Sequence, residues 1–133
     1  MKVMIDTNII ISAAITLGGN AAKAFIKAVL PPYKPIVCDY IVDEVHRKFQ
    51  EKFPAHITEL EAFLFNALQV IKVVSTPSVE LSEEQKIRDL KDRSILRAAR
   101  NAGADLLLTG DRDFLESDIS NPRIISAADF LRE

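Results

Sequence analysis

Nineteen of the 133 residues are Asp or Glu, and several stand where apolar runs give way to turns or helices. Asp6 follows Val3-Met4-Ile5 directly, in the segment Met4-Ile5-Asp6-Thr7-Asn8. Glu44 lies on a predicted helix, Asp92 at a predicted helix start, and Asp111 and Asp113 just after Leu106-Leu107-Leu108-Thr109. In an open parallel sheet, ligands bind beyond the carboxyl ends of the strands, so acids collected there share one crevice. Carboxylates placed that way repel one another unless cations neutralise them, and an all-oxygen donor set suits Mg²⁺ or Mn²⁺.

Each acid also has a plainer reading. A helix N-terminus welcomes an acid for capping and dipole reasons alone, which covers Asp92, and Asp113 can head a short helix after a turn at Gly110. Asp6 is harder to dismiss, because the chain has just left the sheet and burial there without a partner is costly. On a helix with Ile41, Val45 and Phe49 facing inward, Glu44 falls at the edge of the stripe and Asp43 nearly opposite, which favours Glu44. Asp111 is expected as a direct ligand and Asp113 as its support or as part of a second-metal site. Thr7, Asn8, Ser12 and Thr109 are short polar residues near the same edge that could hydrogen-bond the carboxylates or hold water, although helix capping explains Asn8 and Ser12 equally well. Arg93, Arg97 and Arg100 recur on the Asp92 helix, Arg112 sits between Asp111 and Asp113, and Arg47, Lys48 and Lys52 follow Glu44. Most such charges pair with nearby acids, but as a rim they would contact phosphates and guide a strand toward the metals; Arg47, Arg93, Arg97 and Arg112 are the candidates.

The elements that must position these residues come from the periodicity. Five short apolar runs read as strands: Lys2 to Ile5, Ile36 to Cys38, Ile71 to Val74, Leu106 to Thr109, and Arg123 to Ile125. Ala21, Ala24, Phe25, Ala28 and Val29 make a helical stripe between Gly18-Gly19 and Pro31-Pro32. Asp39 is expected to cap the next helix, Thr58 with Glu61 and Ser82 with Gln85 read as capping boxes, Asp92 opens a helix that stops at Gly103, and Ser126 caps a final turn. Ser75 to Leu81 is a Pro- and Ser-containing loop. Strands alternating with helices imply right-handed crossovers in an α/β class: one three-layer domain over residues 1–133, a parallel sheet of about five strands with helices on both faces.

Composition sets further bounds. An apolar share of 48% and a charged share of 27% belong to an ordinary globular chain. The single cysteine, Cys38, sits in an apolar run and cannot form an intrachain disulfide; with no signal-like leader or membrane-length apolar stretch, a cytoplasmic location away from membranes is expected. A formal net charge of −2 argues against a bulk electrostatic grip on nucleic acid but leaves room for a local basic rim. His46 and His56 lack zinc-ligand spacing, and no phosphate-binding glycine loop or Gly-x-Ser-x-Gly elbow occurs.

Taken together, Asp6-Thr7-Asn8, Asp43-Glu44-Val45, Lys91-Asp92-Arg93-Ser94-Ile95-Leu96-Arg97-Ala98-Ala99 and Thr109-Gly110-Asp111-Arg112-Asp113-Phe114 resemble the PIN-domain family. The resemblance spans nearly the whole chain and is strongest to the small stand-alone toxin components of prokaryotic toxin-antitoxin pairs. It implies a ribonuclease that cleaves single-stranded RNA with metal-activated water, using Mg²⁺ or Mn²⁺, expected as two ions. By the same resemblance Asp6, Glu44, Asp92 and Asp111 bind metal with Asp113 in support, Asp89 is a weaker candidate, an antitoxin protein is a partner, and the chain forms a homodimer or higher homo-oligomer. Three rivals remain. A small Mg²⁺-dependent phosphatase would want a general acid two residues after Asp6, where Asn8 stands. A phosphate-receiver domain lacks its acid pair, and a non-catalytic RNA- or protein-binding module of the same fold is opposed by the complete acid set.

Overall fold

The computed structural model describes all of residues 1–133. Strand β1 (Lys2–Ile5) leads into helix α1 (Thr7–Ile15) and α2 (Asn20–Val29), then β2 (Lys34–Cys38), α3 (Asp39–Lys52), a 3₁₀ turn and α4 (Ile57–Ala67). The chain continues through β3 (Lys72–Val74), a second 3₁₀ turn (Ser82–Lys86), α5 (Leu90–Asn101), β4 (Leu106–Leu108), α6 (Arg112–Leu115), β5 (Arg123–Ile125) and α7 (Ala127–Arg132). All four strand pairings are parallel, in the order β3-β2-β1-β4-β5. With right-handed crossovers the steps β1→β2→β3 and the return to β4 put helices on opposite faces of the sheet. The expected α/β architecture is the one observed.

The central strands are apolar on both sides because both faces are covered. Val3, Met4 and Ile5 of β1 and Leu106, Leu107 and Leu108 of β4 are buried, and 33 residues form one continuous hydrophobic cluster. Against it α3 sets Ile41, Val45 and Phe49, α5 sets Ile95, Leu96 and Ala99, and α7 sets Phe130. No single helix is long and apolar enough to cross a membrane.

Several local expectations are corrected. Helix α1 has no counterpart in the periodicity, because Ile9-Ile10-Ile11 is a β-branched run with no polar gaps; the helix forms because Asp6 caps it and Ile9, Ile10 and Ala13 pack inward. The Thr58–Glu61 box is absent: α4 begins at Ile57, and Glu61 instead lies 2.6 Å from His46 Nδ1 on α3. At the second 3₁₀ turn it is Glu84 rather than Gln85 whose carboxylate accepts from a cap-position N–H, that of Leu81 at 2.5 Å. Asp39 occupies the first turn of α3, where its carboxylate accepts from Tyr40 N and from the Thr76 hydroxyl. Helix α5 starts two residues earlier than expected, capped by Asp89, while Gly103 does end it, at φ +70°.

Gly110 was expected to permit a tight turn, but its φ is not positive and an added Cβ would meet Asn8 at an ordinary 3.6 Å. The two glycines should therefore differ in urea denaturation of the metal-free protein: Gly103→Ala loses about 1 kcal/mol, since an L residue is strained in the left-handed region, and Gly110→Ala changes stability by less than about 0.5 kcal/mol.

Candidate metal centre

The strand order reverses beside β1: the chain leaves β1 toward β2 and β3, then returns on the other side as β4. Ligand crevices of open α/β sheets form at such a point, beyond the carboxyl ends of the two strands. Asp6 follows β1 there. It is only 3% exposed. Its Oδ2 accepts from the Thr109 hydroxyl at 2.7 Å and its Oδ1 from Thr7 N–H at 2.7 Å, while its own N–H donates to Leu108 O at 3.0 Å. Thr109 thus ties the exit of β4 to the exit of β1, and its Oγ1 also accepts from Asp111 N–H at 3.0 Å. Asp111 in turn caps α6 by accepting from Asp113 N–H at 2.9 Å. Asn8 Oδ1 accepts from Gly110 N–H at 3.2 Å, closing the same turn from the α1 side.

Two helices complete the crevice. From α3, Glu44 accepts the Thr7 hydroxyl hydrogen bond and has Arg47 Nη2 at 3.7 Å. From α5, Asp92 enters as a buried residue, 7% exposed, whose Oδ2 has no hydrogen-bond partner. The result is an open cleft of about 140 Å³ walled by Asp6, Thr7, Asn8, Glu44, Lys48, Asp89, Lys91, Asp92 and Asp111, with no hydrophobic residue. The carboxyl oxygens of Asp89, Asp92 and Asp113 also lie within 4.8 Å of one another, so Asp92 belongs to both acidic groups.

Burial and mutual repulsion act on the titration of these acids. Burial raises Asp6 from 3.8 to about 6 against the opposing hydrogen bonds from Thr109 and Thr7, with the charges of Glu44 and Asp111 adding to the rise. Asp92 is pushed far above the usual carboxylate range, first by burial, then by its hydrogen bond with Asp111 and the charges of Asp6, Asp111 and Asp89. Asp92 therefore favours its protonated form more than an ordinary carboxylate does. Five carboxylates in one cleft, one of them with an unpartnered buried oxygen, fit a hard divalent cation. The residues that would hold it are Asp6, Glu44, Asp92 and Asp111.

Residues 2–113 match the sequence profile described as PIN domain. The chain belongs to the PIN domain family. Among solved structures this PIN domain is similar in fold to VapBC2 from Rickettsia felis, determined bound to a DNA fragment from their promoter, with a TM-score of 0.73, 12% identity and coverage of 95% of this chain and 98% of that one. It is similar also to VapBC-1 from nontypeable Haemophilus influenzae, with a TM-score of 0.65, 18% identity and coverage of 96% and 99%. No curated protein matches it in sequence.

The PIN fold brings together most, but not all, of the residues expected from the sequence. Asp6, Thr7, Asn8, Glu44, Asp92, Asp111 and Thr109 meet at the cleft, and Asp89, the weaker candidate, lines it while capping α5. Asp113 stands beside the cleft, with its Oδ1 accepting from Arg88 Nη2 at 2.5 Å and Nε at 3.1 Å. Ser12 does not reach the cleft: it lies more than a turn beyond Asn8 as α1 runs away from the sheet edge.

Most arginines of the expected rim are engaged with partners outside the cleft. Arg97 lies over the 75–87 segment, with Nε and Nη2 on Glu84 at 2.9 and 3.0 Å and Nη1 on Pro77 O at 3.0 Å. Arg93 donates to Ile87 O, and Arg112 is exposed and paired with Glu116. Only Arg47 of the four stands next to a cleft acid. The basic residues that do line the cleft are Lys48 and Lys91. Lys48 belongs to the basic run that follows Glu44 in the sequence, and it lies one helical turn after Glu44 on the same face.

An acid whose folded pKa exceeds its unfolded value carries more protons folded than unfolded, so stability falls as pH rises between the two. For Asp6, a rise from 3.8 to about 6 corresponds to roughly 3 kcal/mol against the charged form. Without divalent metal, Tm should therefore be lower at pH 8 than at pH 5 by at least about 5 °C. Mn²⁺ should raise Tm more at pH 8 than at pH 5. Asp92→Asn should raise the metal-free Tm at pH 8 and remove most of the Mn²⁺ gain, as read by differential scanning calorimetry.

Proposed function

We propose that this PIN domain is a Mg²⁺- or Mn²⁺-dependent endoribonuclease that cleaves single-stranded RNA, and that it is the toxin component of a toxin-antitoxin pair. The observation that carries the nuclease reading is the convergence of Asp6, Glu44, Asp92 and Asp111 from four separate elements on one open, wholly polar cleft. A phosphodiester is an anion, and such a cleft receives it only after cations have reversed its charge. When bound, divalent ions supply an activated water and offset the negative charge developing on the leaving oxygen.

The chain's own residues prepare that chemistry. Thr109 and the Thr7 N–H fix the two oxygens of Asp6, and the Thr7 hydroxyl fixes Glu44, so the donors are oriented before any ion arrives. Asp92 would have to give up any proton it carries before its carboxylate could hold a cation. Hydrolysis by water with the 3′-oxygen as leaving group leaves a 5′-phosphate and a 3′-hydroxyl and uses no 2′-hydroxyl, so preference for RNA resides in the groove.

The toxin reading rests on fold likeness to chains of two VapBC assemblies, together with the family resemblance of the sequence. It carries with it a cytoplasmic location, a homodimer or higher homo-oligomer, and an antitoxin protein that covers the cleft. A free nuclease in a cell needs such a cover.

End-labelled single-stranded RNA incubated with the inhibitor-free protein should be cut with Mg²⁺ or Mn²⁺, left intact with EDTA, and cut at least about a hundredfold more slowly by Asp6→Asn. A non-catalytic RNA-binding module would instead retain the RNA without turnover in both proteins.

A further inference from the structure

Lys48 and Lys91 are the only basic residues in the walls of the acidic cleft, and they stand on different elements: Lys48 on α3 one turn beyond Glu44, Lys91 in the first turn of α5 between Asp89 and Asp92. Neither ammonium group makes a hydrogen bond or an ion pair, although five carboxylates share the cleft with them. The arginines of α5 are engaged elsewhere: Arg93 with Ile87 O, Arg97 with Glu84, and Arg100 with Glu83 and Asn121 O. A lysine beside a cation site opposes cation binding. Two of them, unpaired, are therefore explained better by an anion than by the metal.

The charge of the cleft agrees. Five carboxylates against two ammonium groups leave its walls at a formal −3 when all are ionised. One divalent ion would bring this to −1, still repelling a phosphodiester, whereas two would bring it to +1. A lysine ammonium is a compact point charge on a flexible stem, suited to backbone phosphate and indifferent to base identity.

We propose that Lys48 and Lys91 are the phosphate-positioning residues of this PIN domain, gripping the RNA backbone from the α3 and α5 walls so that a single strand crosses the cleft between them over the carboxylates. The assignment rests on the nuclease reading. It makes the grip independent of sequence and moves the strand contacts away from Arg93, Arg97 and Arg112.

The test is fluorescence anisotropy of a short fluorescein-labelled single-stranded RNA of mixed sequence, with Ca²⁺ in place of Mg²⁺, over a range of KCl, the RNA being checked for intactness afterwards. Lys48→Gln and Lys91→Gln should each weaken binding about three- to tenfold at low salt, and each should reduce the slope of log K against log[KCl] by about 0.7. Lys48→Arg and Lys91→Arg should restore the slope. Lys34→Gln, at the opposite end of the sheet where β2 begins, should leave it unchanged. Mn²⁺ affinity by electron paramagnetic resonance should be equal or tighter in both Gln variants, because a positive charge has left the cation site.

Slopes unchanged in both Gln variants, with wild type binding RNA normally, would overturn the assignment alone. RNA and Mn²⁺ binding weakened together would also overturn it, by showing that the lysines support the carboxylates rather than the strand. No metal-dependent RNA binding by wild type would overturn both the assignment and the nuclease reading.

Discussion

Burial of several carboxylates side by side, with their repulsion adding to its cost, is the constraint on which the rest of this molecule turns. At the exit of β1, tied to the exit of β4 through Thr109, this chain buries Asp6. The hydrogen bonds from Thr109 and Thr7 hold Asp6 in place but do not fully compensate its burial, since its pKa remains raised to about 6. Asp92, with an unpartnered buried oxygen, is further from satisfaction still. A buried polar atom without a partner is uncommon in native structures and marks either strain or a missing ligand. Asp6, Glu44, Asp89 and Asp111 bring further carboxylate oxygens to the same cleft, the donor chemistry that a hard cation takes.

The remaining charges of α5 and its neighbours are arranged around that cleft. Helix α5 must present Asp92 to the cleft with its first turn, and its arginines clamp the 77–87 segment that leads into that turn. The Glu84–Arg97 pair is the buried member, with Glu84 2% exposed and also accepting from Leu81 N–H. Lys86 to Asp118 O and Arg88 to Asp113 tie the same segment across to the region around α6. The carboxylates contributed by α5 and α6 are thus held relative to one another by a network that does not itself touch the cleft floor. Ordinary surface pairs contribute little to stability, and the exposed Arg112–Glu116 and Arg132–Asp129 pairs belong with those.

The sheet was legible because its strands are short apolar runs bounded by turn formers, and Lys2–Ile5 and Arg123–Ile125 fall on the residues the pattern indicated. The acids of the cleft were legible for a related reason: an acid immediately after a buried strand has few structural explanations. What the sequence hid was direction and pairing. Arg97 reads as a solvent-facing member of a basic stripe, but its partner Glu84 lies 13 residues away in a segment whose path no periodicity specifies. Helix α1 was hidden because Ile9-Ile10-Ile11 carries strand propensity that packing overrides. Asp89 and Asp92 exchanged capping roles because both are good N-cap residues, and only the path of the preceding segment decides between them.

If the cleft holds Asp92 protonated until a cation arrives, ion binding must expel that proton. Calorimetric titration of Mn²⁺ into the metal-free protein at pH 7, repeated in buffers of different ionisation enthalpy, counts the protons released. Release of about one proton per protein, lost in Asp92→Asn, is the predicted result. Mn²⁺ binding with no proton release, or no Mn²⁺ binding at all, would contradict the account.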